Sequence, residues 1–224
     1  MYKVDNLKLN KVGFRCDRVS CLGNPFIMSS EAERKEVIEQ HKKFFNIALL
    51  SPNLYESLDL NSKYKKVSRY HYLEELGKAL QNKTFLCWCS PKSCHCDNYV
   101  EFAKCTRVVI SGSRSITDHK FIFEKLDTLL QKFNKEHNTK YLIGGEARGV
   151  DSAISKYAES RGWLYIPVKP EWDLYGKSAG YKRNLVMLNL ASHFIAIWDG
   201  KSRGTNNVID IATRLDLPLR IVYG

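Results

Sequence analysis

A chain of 224 residues with 44% hydrophobic and 12% aromatic side chains can bury one large core or two small ones, which excludes wholesale disorder. No apolar stretch reaches the roughly 18 residues of a membrane span, and the opening MYKVDNLKLNKVGF has no signal-peptide core, so a cytoplasmic protein with no membrane partner is expected. The net charge of +11 divides as +5 over residues 1–104 and +6 over the rest, which excludes a single basic tail; it suits phosphorylated small molecules or nucleic acid, and equally a solvated basic surface with no dedicated partner.

In chain order, NLKLNKVGF (6–14) suggests short strand material and RCDRVSCLGNPF (15–26) a loop. Ser29 or Ser30 can cap a helix running to about Leu50, because the segment is rich in helix formers, and SPNLYESLDLNS (51–62) breaks it. A second helix is predicted over 69–81, a strand over KTFLCWC (83–89), and a helix from Asp97 through Lys104.

From residue 107 the pattern becomes regular. Strands are predicted at 107–113, 140–145, 163–168, 193–198 and 219–223, alternating with helices over 118–136, 150–162, 179–191 and 204–215. This βαβαβαβαβ alternation predicts a doubly wound parallel sheet with helices on both faces, an α/β architecture. The expected division is a smaller α+β domain over 1–104, holding a Cys/His cluster, and a Rossmann-like domain over 105–224.

In such sheets ligands bind beyond the carboxyl ends of the strands, where strand order reverses. Three of these ends carry small or cationic residues. Ser111, Gly112 and Ser113 permit close backbone approach, and Arg114 adds a cation. Gly144 and Gly145 make a tight turn, after which Arg148, Gly149, Val150 and Asp151 open a helix whose free N–H groups can receive an anion. Asp199, Gly200, Ser202, Arg203, Gly204 and Thr205 form a third such turn. One glycine turn would only report packing; three converging turns that carry arginine point to a ligand pocket. The spacing is neither GxGxxG nor a Walker A loop.

Between the last two turns, KPEWDLYGKSAGYKRN (169–184) gathers Trp172, Tyr175, Lys177, Arg183 and Asn184, groups that suit a base and a phosphate. A loop packing its own aromatics is the plainer alternative.

The motifs SGSR, GGEARGVDSA, YGKSAGYKRNLVM and FIAIWDGKSRGT, in that order over about 107–223, resemble the SLOG (SMF/DprA–LOG) superfamily. The resemblance implies a Rossmann-like fold that binds nucleotides or nucleotide-derived ligands, often as a homodimer. In the phosphoribohydrolases of this superfamily a PGGxGTxxE loop supplies a glutamate for N-glycosidic cleavage of nucleoside monophosphates. Arg183 resembles their helix arginine and Gly204-Thr205 their GT, but Val208 stands where the glutamate would be, and no carboxylate follows until Asp210. Arg183, Glu146 and Asp199 are the candidates for a catalytic role, with Asp151 as a further substitute carboxylate, so an enzymatic activity stays open. The DprA branch offers a third reading, single-stranded DNA held in a basic pocket. Sensing or sequestering a nucleotide is preferred, because the cations cluster at small loops.

Seven cysteines without a secretory signal point to reduced thiols or metal ligands. FLCWCSPKSCHCD (85–97) places Cys87, Cys89, Cys94 and Cys96 around His95, a set that admits a tetrahedral zinc, with Cys16 or Cys21 as spare ligands. A reactive thiolate and a group of buried, inert thiols are the alternatives. Gly23, Asn24, Pro25, Phe26, Cys87, Cys89, Pro91, Cys94, His95 and Asp97 resemble a small, often phage-encoded domain of no established activity, in which Cys96 falls at a variable position. The pairing of the two domains implies a bacterial or phage-infected host cytoplasm.

Overall fold

The computed structural model describes residues 1–60, 66–135 and 139–224, in two compact units, Met1–Lys104 and Cys105–Gly224. The last residues of two predicted segments, Asn61, Ser62 and Glu136, lie outside the described residues. Among the described residues no helix is long and apolar enough to cross a membrane.

The first unit holds β1 (Lys3–Asn6), β2 (Phe14–Arg15), α1 (Arg34–Leu50), α2 (Pro52–Ser57), α3 (Arg69–Asn82), β3 (Thr84–Cys87) and α4 (Cys96–Lys104). Its three strands form a parallel sheet in the order β1-β3-β2. The strand material expected over 6–14 thus lies at the two ends of that segment, and residues 7–13 turn between them. A short 3-10 turn (Glu31–Glu33) leads into α1; the Ser30 hydroxyl caps no N–H, and the Glu33 carboxylate instead accepts from the Ser29 N–H at 2.8 Å. The helix does break at Ser51, but Pro52 at the first position starts a new one, α2, which periodicity missed. At α3 the Ser68 hydroxyl accepts from the His71 N–H. The core is aromatic: Phe44, Phe45, Tyr55, Tyr72, Phe85, Tyr99 and Phe102 are buried and meet edge-to-face or tilted.

The second unit has an aliphatic core. Five parallel strands, β4 (Thr106–Gly112), β5 (Lys140–Gly144), β6 (Leu164–Pro167), β7 (His193–Trp198) and β8 (Leu219–Tyr223), lie in the order β6-β5-β4-β7-β8. Alternate residues of the strands face opposite helix layers. Val108, Ile110, Leu142, Ile195 and Ile197 pack with Ile122, Leu126 and Leu130 of α5 (His119–Leu130) and Val150, Ala153 and Ile154 of α6 (Val150–Arg161). The other layer is α8 (Ala179–Leu190) and α9 (Arg203–Arg214), entered through the single turn α7 (Trp172–Tyr175). Asp118 caps α5 by accepting from the Lys120 and Phe121 N–H groups; the helix then tightens to a 3-10 turn over Gln131–Lys135.

Two arginines are spent inside the fold. Arg69 donates to the Ala48 and Leu49 carbonyls, and Arg107 to the Leu190 and Cys105 carbonyls, all at 2.7–2.8 Å. Ala48, Leu49 and Leu190 are helix-end acceptors at α1 and α8, which a buried cation satisfies.

Candidate functional site

The chain winds from β4 outward to β6, then crosses to β7 on the opposite side of β4. The β4–β7 gap is therefore the point where strand order reverses. Beyond the carboxyl ends of these two strands lies a cavity of 410 Å3. Ser111, Gly112, Arg114, Asp151, Arg183, Asn184, Asp199, Ser202, Gly204 and Thr205 all line it, together with Ser115, Ala147 and Val208.

The other residues expected at the ligand do not line it, for identifiable reasons. Ser113 is buried as a clasp: its hydroxyl accepts from the Asp199 N–H at 3.0 Å and its N–H donates to the Ile197 carbonyl. Gly149, at φ +76, packs so closely that a Cβ would lie 2.4 Å from the Ser113 carbonyl oxygen. That carbonyl also accepts from the Val150 N–H at 3.4 Å, so the first N–H of α6 is taken up by protein backbone. Gly144 ends β5, and its carbonyl accepts from the Val168 N–H. Gly145 leaves room for Arg183, whose Nη1 would be 1.6 Å from an added Cβ. Arg148, Lys177, Gly200 and Arg203 are exposed on their turns. Trp172 and Tyr175 also lie off the cavity: Trp172 is exposed, and the Lys182 ammonium sits over the Tyr175 ring at 4.5 Å. Of residues 169–184 only Arg183 and Asn184 reach the cavity.

The charges inside are arranged. Arg183 is buried; its Nε donates to Asn184 Oδ1 at 2.9 Å and its Nη1 to the Gly145 carbonyl. Asp151, also buried, accepts from the Gly112 N–H at 3.2 Å. Burial pushes its carboxyl up, opposed first by the Arg183 cation and then by that N–H. Asp199 is held far below the usual carboxylate range by the Ser115 hydroxyl at 2.7 Å and the Ser202 and Lys201 N–H groups at 2.8 and 3.0 Å. It is an ionised organiser of its own turn. Glu146, at φ +54, is exposed, pairs with Lys169 at 3.6 Å, and lies off the cavity. At the third turn the Ser202 hydroxyl accepts from the Thr205 N–H and hydroxyl, capping α9; Gly204 and Thr205 of that first turn line the cavity.

The first unit holds the other cluster. Ligand atoms of Cys87, Cys94, His95 and Cys96 lie within 4.8 Å of one another, and all four residues are buried. This group could hold a metal ion, and Cys96 is part of it. Cys89 stands just past the end of β3, half-buried and outside that group of four. Hydrogen bonds from neighbouring thiols pull the Cys87 thiol down, while burial pushes the Cys96 thiol up. Cys16 contacts Cys96, whereas Cys21 stays outside the group, its thiol pushed up to about 12 by burial. A 320 Å3 cavity abuts the cluster, lined among others by Asp17, Asn24, Phe26, Arg34, Cys87, Trp88, Cys89, Cys94 and His95. Asp17 is fixed there by Arg15 at 2.7 and 2.8 Å and by the Trp88 Nε1–H at 2.8 Å.

Behind the thiols runs a buried polar chain that sequence reasoning missed. Asn98 Nδ2 donates to His41 Nδ1 at 2.9 Å, which puts the imidazole proton on Nε2, 3.0 Å from the Tyr99 hydroxyl. Tyr99 donates to the Leu22 carbonyl at 2.8 Å and accepts from Tyr72 at 3.0 Å. With His41 neutral, each hydrogen bond of this set has one donor and one acceptor. The one hint in the sequence is His41 on the apolar stripe of α1, between Val37 and Phe44–Phe45.

Comparison with known proteins agrees with the two resemblances. Residues 1–105 match the domain of unknown function DUF4326, and residues 106–175 match the YspA, cpYpsA-related SLOG family. The Gene 61 protein of Mycobacterium phage D29 is 28% identical over 119 residues, covering 50% of this chain and 93% of that protein. The X-ray structure of DNA processing protein A (DprA) from Streptococcus pneumoniae is similar at 17% identity and a TM-score of 0.44, over 56% of this chain. This chain spans about half the length of that one, 53%.

Proposed function

We propose, taking as premise a SLOG-like domain from residue 106 onward, that the Cys105–Gly224 unit binds a nucleotide or nucleotide-derived ligand and so senses or sequesters it. The observation that carries this is the cavity at the β4–β7 reversal, where the buried Arg183 and the N-terminal turn of α9 meet. A phosphate placed there meets a cation and a helix dipole together, the usual chemistry of anion capture. A volume of 410 Å3 suits one nucleotide rather than a strand.

Binding is favoured over N-glycosidic hydrolysis by the state of the carboxylates. Val208 lies on the cavity wall, Asp199 is bound up in its turn, Glu146 pairs with Lys169, and Asp151 is held by Gly112. In the Met1–Lys104 unit we further infer a zinc-class ion on the Cys/His cluster. We extend the reading to the cytoplasm of a bacterium or of a phage-infected host, which the relative from Mycobacterium phage D29 supports.

The test is calorimetric titration of the full chain with AMP, ADP-ribose and cyclic mononucleotides. Saturable 1:1 binding of one of them, weakened about tenfold in Arg114→Ala by loss of one charge-assisted contact, is expected. Flat titrations across the panel contradict the proposal. Chromatography is expected to detect no free base after incubation with nucleoside monophosphates; release of base would favour the hydrolase reading.

A further inference from the structure

We propose that the 320 Å3 cavity of the first unit binds a planar aromatic carboxylate, with the Trp88 indole as the stacking surface and Arg18 as the counter-charge. Both marked segments of that unit meet at this cavity: Asp17, Arg18 and Phe26 come from RCDRVSCLGNPF, and Trp88 and His95 from FLCWCSPKSCHCD. The start of α1 closes a third side with Arg34, Val37 and Ile38. Cys87, Cys94 and His95 form the floor, each at most 5% exposed, so the binding surface lies outside them and needs no ion in the thiol cluster. The volume lies at the small end of ligand pockets, about 300 Å3, and suits one ring system with a single acidic group.

The wall is fixed from behind. Gly23 stands where the loop folds back on itself, since a Cβ there would lie 2.4 Å from the Asp17 carbonyl oxygen. Asn24 then ties the loop down: its Oδ1 accepts from the Phe26 N–H at 3.0 Å, and its Nδ2 donates to the Val37 carbonyl at 3.3 Å. The Phe26 ring is thereby seated edge-on against Phe44. Arg34 holds Glu31 through Nε and Nη2 at 2.6 and 2.9 Å, and its Nη1 donates to the Ser93 carbonyl at 3.0 Å. That last bond joins the start of α1 to the 85–97 segment.

Trp88 stands apart from the buried rings of the unit. Its Nε1–H is donated to Asp17 at 2.8 Å, yet the residue is 51% exposed. An indole pinned by its edge and open over half its surface, beside Phe26 and Met28, offers a face to another planar ring. The charges on the wall decide the sign of the ligand. Asp17 is buried and already compensated by Arg15 at 2.7 and 2.8 Å, as Arg34 is by Glu31. Arg18 is exposed, donates to the Phe26 carbonyl at 3.1 Å, and among the described residues pairs with no carboxylate. The uncompensated charge is therefore one guanidinium, whose remaining N–H groups match a carboxylate.

Calorimetric titration of the full chain with 2-naphthoate, a probe that carries only the planar ring and the charge, tests this. Saturable 1:1 binding is expected. It should be about tenfold tighter than for 2-naphthylmethylammonium, which reverses the charge, and for cyclohexanecarboxylate, which lacks the planar face. Arg18→Gln, which keeps a donor for the Phe26 carbonyl, and Trp88→Leu, which keeps an apolar side chain, are each expected to weaken 2-naphthoate about tenfold. Arg18 is exposed, so its variant reads the site without disturbing the core. Absence of 2-naphthoate binding overturns the proposal, and so does equal affinity for the ammonium or the saturated acid. An unchanged affinity in Arg18→Gln or in Trp88→Leu overturns it as well, by placing the probe elsewhere on the protein.

Discussion

The two units place their chemistry at opposite ends of a fold's logic. In Cys105–Gly224 the interior is aliphatic and the polar residues stand at strand ends, so the candidate site is a set of turns around an ordinary core. In Met1–Lys104 the interior itself carries polar groups: thiols, the imidazoles of His41 and His95, and Tyr55, Tyr70, Tyr72 and Tyr99 are buried among aromatic rings. A site made of turns can change residues without unfolding its sheet. A site made of core cannot, because each buried polar group left unmatched costs about 1–3 kcal/mol.

That difference can be broken experimentally, and the largest effect is expected from His41→Leu. It leaves the Asn98 amide and the Tyr99 hydroxyl without their partner in a closed interior, so a loss of about 2–4 kcal/mol is expected by denaturant unfolding. A loss below 0.5 kcal/mol would mean that the chain of hydrogen bonds is not structural.

In the second unit Gly145→Ala strikes the site more than the core. Its Cβ would fall on the Arg183 guanidinium and push it from the cavity, so nucleotide affinity is expected to drop about tenfold, as for loss of one charge-assisted hydrogen bond. An unchanged affinity by calorimetry would remove Arg183 from the ligand contacts.

A smaller and more selective effect is expected from pH. Burial lowers the His41 pKa well below its ordinary 6.5, so the folded unit binds this proton less readily than the unfolded chain. Its contribution is whole above pH 6.5 and is lost progressively as pH falls below that value. Hydrogen exchange, which reads the units separately, is expected to show amides of α1 and α4 losing protection between pH 7 and pH 5. His41→Leu is expected to reduce that slope, with the remainder carried by His95, whose pKa burial also lowers.

How much of this was legible beforehand follows the same division. The second unit is written in local periods: apolar strands, 3.6-residue helices and small residues at the strand ends, each readable within one window of sequence. Its cavity wall was accordingly anticipated at Ser111, Gly112, Arg114, Asp151, Arg183, Asn184, Asp199, Ser202, Gly204 and Thr205. The residues expected at a ligand but lying off the cavity fall mostly at turns that pack against the fold. Gly149 and Val150 are consumed by the Ser113 backbone, a contact 36 residues away in sequence that no local pattern carries. In the first unit the spacing of Cys87, Cys89, Cys94 and Cys96 announced a cluster. His41, Tyr99 and Asn98 were invisible, because their partnership exists only once α1 packs on α4. The two-residue strand β2 and the single-turn α7 are too short to produce a period at all.

The most direct test of the account is affinity against ligand length: calorimetric titration of the full chain with AMP and with oligoadenylates of two to twelve residues, at two salt concentrations. A pocket for one nucleotide is expected to give affinity that is already full at AMP, does not grow with length, and has a shallow salt dependence. A silent mononucleotide, with affinity that climbs with length and falls steeply with salt, would contradict it and assign the cavity to a nucleic-acid strand.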